Sequence, residues 1–264
     1  MNVHTFVVLA YKESSYLEDC INSVLNQSIK TNVIIATSTP NDYIKKIAKK
    51  YNLKIKINEG KKGIGYDFDF AIHSADTELV TIAHQDDIYD YDYAKNVVDA
   101  YNEQKESIII FTDYYEIRNK EKVFENLNLS IKRILLRPLK NHKKANKLSR
   151  KRSVLKYGNA ICCPSVTFVK NNISNEVFSC DLNCNVDWYA WEKLSKLDGY
   201  FYFIDKIIMG HRISNETTTT EIIKDNKRTT EDYKMFCKFW PKWFAKIITK
   251  AYSKSENSNK LKKD

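Results

Sequence analysis

The sequence predicts an α/β fold with a mainly parallel sheet flanked by helices, and three observations support this prediction. Short apolar segments with the character of buried strands recur along the first half of the chain, and helical patterns separate them. After residue 113 the alternation breaks down, which is typical of a smaller, mixed half. The 264 residues, 43% of them hydrophobic, allow one large domain or two small ones with an ample core.

The elements of the first half follow from these patterns. Strands are expected at 3–10, 33–36, 53–57, 79–83 and 108–112. Helices are expected at 15–27, 42–51, 67–75 and 92–104. Because strands and helices alternate, the units read as repeated βαβ motifs and imply parallel pairing.

The strand at 79–83 is followed by His84, Gln85, Asp86 and Asp87. In an open α/β sheet, ligands bind outside the carboxyl ends of the strands. Two adjacent carboxylates repel each other, so this pair has to be hydrated, paired with cations or bound to a metal ion. Asp-Asp pairs also occur in ordinary loops, and a solvated loop is the alternative interpretation.

The segment 60–65 contains three glycines and resembles a loop that cradles phosphate. Its spacing matches neither the Walker motif nor the dinucleotide fingerprint. A flexible connection is the equally weighted alternative.

The second half differs in charge from the first. Residues 1–131 hold 15 Lys and Arg against 20 Asp and Glu, whereas residues 132–264 hold 28 against 13, a net charge of +15. Such a basic half indicates an anionic surface or ligand, either nucleic acid or membrane phosphate. The chain has no recognisable nucleic-acid-reading motif, and we expect no nucleic-acid partner.

The basic segment 132–156 carries eleven Lys and Arg and no acidic residue. Its interleaved leucines and isoleucine predict an amphipathic basic helix. Together with the aromatic and lysine-rich tail 216–264, it favours peripheral attachment to an anionic membrane. A solvated basic face is the alternative. Further elements are expected as a strand at 166–169, a helix opened by Asp187, and strands at 200–204 and 207–213.

The six cysteines lack Cys-x-x-Cys spacing, which favours reduced thiols and a cytoplasmic location. Cys180 and Cys184 have the spacing of half a zinc site, but no second pair lies at a suitable distance in the sequence. The chain contains no run of eighteen apolar residues, and its start shows no basic leader, so neither a membrane span nor a signal peptide is expected.

The order of these parts resembles the inverting family-2 glycosyltransferases of GT-A fold over residues 4–215. VVLAYKES at 7–14 and SVLNQS at 23–28 look like the first strand, turn and S-V-L-x-Q helix of that family. ELVTIAHQDD at 78–87 looks like its strand ending in the D-x-D signature. The resemblance implies a nucleotide-sugar half at 1–113, an acceptor half at 114–215 that includes the basic segment, and a helical tail at 216–264.

The resemblance also implies roles for individual residues. Asp187 would be the general base, although an Asp at this place also suits a helix N-cap. A divalent Mn²⁺ or Mg²⁺ would bind Asp86, with Asp87 and His211 completing its surroundings; a structural His211 is the alternative. The residues expected to contact the nucleotide are Ala10, Tyr11, Glu13, Ser38, Asp67, Asp69, Gln85 and Asp86.

The function that the resemblance implies is transfer of a sugar from a UDP-sugar, or another nucleotide sugar, to a growing surface glycan or a lipid-linked acceptor. The sequence departs from the family pattern at three places. His84 replaces the first Asp of D-x-D, Thr37-Ser38 stand where acidic residues usually read the base, and Phe68 replaces a common Arg. Two alternatives therefore remain: a non-catalytic relative that binds nucleotide or sugar, and a basic nucleic-acid-binding protein.

Overall fold

The computed structural model describes residues 2–213 and 227–257. Within them the strands form one sheet in the order β3-β2-β1-β4-β8-β6-β9-β5, with β7 paired to β6. The strands are β1 (His4–Leu9), β2 (Asn32–Thr37), β3 (Lys54–Ile57), β4 (Leu79–His84), β5 (Ile88–Tyr89), β6 (Ser107–Arg118), β7 (Glu121–Val123), β8 (Val166–Val169) and β9 (Tyr200–Ile213).

The helices cover both faces of this sheet and extend the second half. They are α1 (Leu17–Leu25), α2 (Asp42–Lys50), α3 (Ile64–Ser74), α4 (Tyr93–Glu103), α5 (Leu127–Leu136), α6 (Leu148–Ser153), α7 (Val186–Leu194), α8 (Lys227–Phe236) and α9 (Lys242–Asn257). None of the described helices is both long enough and apolar enough to cross a bilayer.

Strands β1 to β4 form the parallel part of the sheet, and their side chains build two cores. Phe6 and Val8 of β1 pack on one face with residues of α1 and α4. Val7, between them, packs on the opposite face with residues of α3. A central strand that is buried on both faces reads as a continuous apolar run, which explains why the sequence revealed it.

The second half adds antiparallel pairing, as the loss of alternation predicted. β8 runs antiparallel to both β4 and β6, and β5 runs antiparallel to β9. β6 and β9 are parallel to each other and longer than expected, because β6 continues to Arg118 and β9 runs unbroken from Tyr200 to Ile213. The predicted α/β fold class is confirmed.

The prediction of an amphipathic helix across the basic segment 132–156 is wrong. Helix α5 ends at Leu136, where a 3-10 turn that contains Pro138 begins. Proline has no N–H to donate and restricts the residue before it, so a helix cannot pass regularly through this point. A second 3-10 turn at His142–Lys144 and the short α6 follow.

Helices α8 and α9 pack against the second half. The ring of Phe236 in α8 lies edge-on to Trp188 of α7, with 5.0 Å between centroids, and Tyr252 of α9 contacts the same two rings. These contacts bury the predicted aromatic tail in part. The boundary expected at residue 215 and the chain end from 258 lie outside the described residues.

Candidate active site

The candidate site lies where the carboxyl ends of three parallel strands meet. Leu9 of β1 is in register with Ala36 of β2 and His84 of β4. The residues that follow these strands, Ala10, Ser38 and Gln85, therefore emerge at one edge of the sheet. Ala10 is buried there, and its backbone N–H donates to the carbonyl of Ala36 at 2.9 Å.

Gln85 joins the loop after β1 to the loop after β4. Its Oε1 accepts from the Tyr11 backbone N–H at 2.9 Å, and its Nε2 donates to the Tyr11 carbonyl at 3.0 Å. The ring of Tyr11 is 45% exposed, and Glu13 is exposed beyond it. Gln85 thus fixes the backbone of Tyr11, whose ring is partly exposed and has Lys12 Nζ 5.2 Å from its centroid.

Ser38 and Asp67 belong to a buried polar cluster at the ends of β2 and β3. The Ser38 hydroxyl donates to Asp67 Oδ2 at 2.8 Å, and Asn58 Nδ2 donates to Asp67 Oδ1 at 2.7 Å. Hydrogen bonds to a carboxylate offset the cost of its burial. The loop after β2 has no acidic residue of its own, and Asp67 of α3 supplies a carboxylate beside it.

Asp69 serves the structure instead. Its two oxygens accept four hydrogen bonds of 2.7–2.9 Å from the segment 177–179, three from backbone N–H groups and one from the Ser179 hydroxyl. This carboxylate ties α3 to the loop that precedes α7. Because both oxygens are occupied, we leave Asp69 out of the proposed nucleotide site.

Asp87 is fully buried beneath the edge of the sheet. Its Oδ1 faces His211 Nδ1 at 3.0 Å and accepts from the Arg212 backbone N–H at 2.8 Å. Its Oδ2 lies 3.9 Å from His84 Nδ1 and has no hydrogen-bond partner among the described residues. Asp87 thus orients His211, and the carboxylate raises the pKa of that imidazole against the opposing effect of its burial.

Arg212 holds the loop between Asp86 and α1. Its Nε donates to the Asp86 carbonyl at 2.8 Å, its guanidinium lies 4.1 Å from the centroid of the Tyr16 ring, and Nη2 is 3.6 Å from Asp19 Oδ2. A planar guanidinium makes such stacked and forked contacts well. Arg212 of β9 therefore joins the loop 84–87, which we call the acidic loop, to residues at the start of α1.

The Asp86 side chain is less buried than that of Asp87, but its pKa is strongly raised. Burial and the neighbouring Asp87 carboxylate raise the pKa of Asp86 to about 7. A cation at this position would relieve both effects. Mg²⁺ and Mn²⁺ ions that bind through one or two carboxylates and substrate phosphates suit such a donor set.

The protein by itself does not supply a complete metal site around the two aspartates. Among the described residues, no group of three or more His, Cys, Asp or Glu side chains is arranged to hold a metal ion. The unpartnered Oδ2 of Asp87 and the raised pKa of Asp86 fit an open site that shares its cation with a ligand. Among the described residues, no further metal-binding side chain gathers with Cys180 and Cys184, so they do not form a zinc site there. All six cysteines are free thiols.

His84 and Phe68, two departures from the family pattern, are in contact. Their rings stack with 5.2 Å between centroids and an interplanar angle of 30°. Burial lowers the pKa of His84 to about 4, so the imidazole is neutral at pH 7. His84 therefore brings no positive charge to the two aspartates.

Asp187 lies in the first turn of α7, one residue after its start. The N-cap residue is Asn185 rather than Asp187, and its side chain makes no capping hydrogen bond. Asp187 Oδ1 accepts from the Trp188 backbone N–H at 2.7 Å, and Oδ2 accepts from Asn159 Nδ2 at 2.6 Å. Burial raises the pKa of Asp187, which makes it a stronger base than an ordinary aspartate.

Carboxylates from both halves of the chain act on the turn at Cys162 and Cys163. Burial raises the pKa of Cys163, and the carboxylates of Asp187 and Asp87 raise it further.

Three residues hold the site in place, and sequence reasoning missed two of them, Asn159 and Glu231. Asn159 holds Asp187, Arg212 holds the acidic loop, and Glu231 of α8 accepts at 2.8–3.0 Å from three backbone N–H groups at 183–185, just before α7. A carboxylate at this place satisfies donors that a helix start leaves without partners. Arg212 had a sequence signal, because His211-Arg212 resembles the late His or Arg of the family-2 glycosyltransferases.

The chain matches the family model described as glycosyl transferase family 2 over residues 5–178. The chain belongs to this family. The matched region contains the first strand and turn, the H-Q-D-D loop, and Asp69 with its partners Val177 and Phe178. This match confirms the predicted family and the prediction that the protein is a glycosyltransferase.

Solved structures agree with this assignment in fold. S. aureus TarS 1-349 in complex with UDP-GlcNAc is 16% identical with a TM-score of 0.63, over 93% of this chain and 73% of that one. A mannosyltransferase from Pyrobaculum calidifontis in complex with GDP-Man and Mn²⁺ is 14% identical with a TM-score of 0.58, over 95% and 69%. The chain spans 42% of a longer TarS structure, and no protein with a curated description matches it.

Proposed function

We propose that this protein is a metal-dependent, inverting glycosyltransferase that transfers a sugar from a nucleotide sugar, most readily a UDP-sugar, to a growing surface glycan or lipid-linked saccharide. The observation that carries the proposal is the pair of aspartates after β4, of which Asp87 is buried and Asp86 is partly exposed. Asp87 is hydrogen-bonded to His211 and to the Arg212 backbone. Burial and the Asp87 carboxylate raise the pKa of Asp86 to about 7, and a bound cation would stabilise its charged form. The family assignment and the nucleotide sugars bound by structural neighbours support it.

The donor would bind along the carboxyl edge of the sheet. Tyr11 would stack on the base or ribose, with Glu13 beside it, and Ser38 with Asp67 would line the base end. Asp86 and His211 would hold a divalent cation, with Asp87 orienting the imidazole. When bound, such a cation neutralises the charge that develops on the departing diphosphate.

The acceptor would bind on the side of α7. Asp187 would take the proton of the attacking hydroxyl while the hydroxyl approaches opposite the leaving group, which inverts the anomeric centre. Asn159 keeps one carboxylate oxygen in place, and its own Oδ1 has no hydrogen-bond partner among the described residues.

We further propose that the protein acts in the cytoplasm at the inner face of a membrane, where a lipid-linked acceptor is accessible. The positive charge of the second half supports this location. The alternative function is a non-catalytic relative that binds a nucleotide or sugar, and the neutral His84 in place of an acidic ligand favours it.

The test is calorimetric titration of UDP and of GDP into the protein, with and without Mn²⁺. We expect metal-dependent binding of UDP that Asp86→Ala abolishes. Asp76→Ala, an exposed carboxylate before the amino end of β4, is the matched control and should bind normally. Binding without metal dependence would contradict the role of Asp86, and metal-dependent binding without any sugar transfer or hydrolysis would favour the non-catalytic relative.

A further inference from the structure

Helix α9 presents lysines and apolar side chains together on its solvent-facing side. Trp243 is 69% exposed and Ile247 is 57% exposed, and both lie one turn apart. Lys242, Lys246 and Lys250 are exposed beside them at the same spacing. We call this surface, formed by these five residues, the α9 face.

The apolar part of the α9 face continues into a row of aromatic rings. Trp243 contacts Phe244, Phe244 contacts Trp240, and Trp240 contacts Tyr157, with centroids 5.0–5.4 Å apart. Tyr157, at the other end of the row, is 45% exposed. The row joins α9 to the second half, so Trp243 belongs to a packed structure rather than to an isolated helix.

The segments that form this surface contain lysines and no acidic residue. Residues 126–175 and 233–255 have no Asp or Glu, and lysines recur every fourth residue from Lys234 to Lys250. Of these, Lys238 is paired with Glu192 of α7 at 3.6 Å. Lys156 lies over the rings of both Tyr157 and Trp240, at 5.0 and 5.5 Å from their centroids. The aromatic row and the α9 face therefore both have lysines beside them.

From this combination we infer that the α9 face docks on an anionic lipid bilayer, with Trp243 and Ile247 at the level of the headgroups and the lysines on lipid phosphates. A helix with Trp and aliphatic residues beside a row of lysines has the character of an interfacial membrane helix. Charge alone would also suit a soluble polyanion, but a polyanion gives no reason to expose Trp243 and Ile247.

The docked orientation would bring the membrane to the acceptor half. On the buried side of α9, Tyr252 packs against Trp188, the residue after Asp187, with 6.0 Å between ring centroids. A membrane bound to α9 would thus lie on the half that carries the proposed base. The bilayer contact itself is independent of sugar transfer, so either can fail without the other.

The experiment is co-sedimentation of the full chain with vesicles of phosphatidylglycerol and phosphatidylcholine, compared with phosphatidylcholine alone. We expect at least about tenfold stronger binding to the anionic vesicles, falling as salt rises. Two double variants should each reduce that binding by about tenfold: Trp243→Ser with Ile247→Ser, and Lys246→Glu with Lys250→Glu.

Matched controls lie on the first half of the chain. Tyr91→Ser removes an exposed aromatic ring, and Lys46→Glu with Lys49→Glu reverses two exposed lysines on α2. Both should bind vesicles as the wild type does. Circular dichroism and metal-dependent UDP binding show whether each variant is folded.

Three results would overturn the inference. The first is equal binding to neutral and anionic vesicles. The second is unchanged binding by the folded variant lacking Trp243 and Ile247. The third is full competition by soluble polyphosphate, together with no blue shift of tryptophan fluorescence on anionic vesicles, which would identify a soluble polyanion as the ligand instead.

Discussion

The substitution Asp187→Asn tests the proposed base directly, because the structure predicts opposite effects on activity and on stability. The site can accept the amide. Asn159 Nδ2 now donates to Asp187 Oδ2 at 2.6 Å, and Asn159 Oδ1 has no described partner. A rotation of the Asn159 amide would present that oxygen to the new NH₂ group, while the Trp188 N–H keeps its acceptor.

The expected loss of turnover is about 10²- to 10⁴-fold, which is what a positioned general base contributes. UDP affinity should stay within about twofold of the wild type, because Asp187 would contact the acceptor rather than the donor. The assay is the rate of UDP release in the presence of acceptor, alongside calorimetric binding of UDP. Asp181→Asn, an exposed carboxylate shortly before α7, is the matched control.

The free energy of unfolding should rise in Asp187→Asn, whereas its turnover falls. Burial raises the folded-state pKa of Asp187 above its unfolded value, so ionisation costs the folded protein more than the unfolded one. That penalty is absent below the unfolded pKa and grows as pH rises through the folded pKa. Removing the ionisable group removes this penalty, so the stabilisation by Asp187→Asn is greatest above the folded-state pKa.

The melting temperature of Asp187→Asn should therefore equal or exceed that of the wild type at pH 8, and the difference should shrink toward about pH 4. Two outcomes would refute the reasoning. Turnover within about threefold of the wild type would exclude a general base. A loss of UDP affinity in step with turnover would place Asp187 in the donor site.

Three further substitutions test the rest of the site. Asp69→Ala leaves the donors at 177–179 without an acceptor, and chemical denaturation should show a loss of about 2–4 kcal/mol. Tyr11→Ala removes an exposed ring and should weaken UDP binding by up to about tenfold in calorimetry, with an unchanged melting temperature. Gln85→Ala loses two hydrogen bonds to the Tyr11 backbone, so the free energy of unfolding should fall by about 1–2 kcal/mol and UDP should bind more weakly. An unchanged UDP affinity would contradict the role of Gln85 in positioning Tyr11.

The parallel half of the fold could be predicted because its physical signals are local. β1 and β4 are buried on both faces, and each therefore appears in the sequence as a continuous apolar run followed by turn residues. The carboxyl ends of such strands meet at one edge, so the position of Asp86 and Asp87 followed from their place after β4.

The extension of β6 could not be predicted, because its second part reads as polar. Asp113 and Glu116 are buried in that strand, each neutralised by an arginine: Arg133 Nε lies 2.6 Å from Asp113, and Arg118 Nε lies 2.7 Å from Glu116. Buried charged residues with charged partners do not look apolar in the sequence, so a strand that contains them is not recognised as buried. The role of Asp69 was hidden for the same reason, since its partners lie more than a hundred residues later.

The contact between His84 and Phe68 bears on whether the departures from the family pattern mark lost chemistry. The two rings stack and fill one space at the end of β4, and the imidazole is neutral at pH 7 because burial lowers its pKa to about 4. Asp87 and His211 stay hydrogen-bonded to each other beside this pair, with no contribution from His84 to that hydrogen bond. The cation site that we propose at Asp86 and His211 therefore does not require His84 as a ligand.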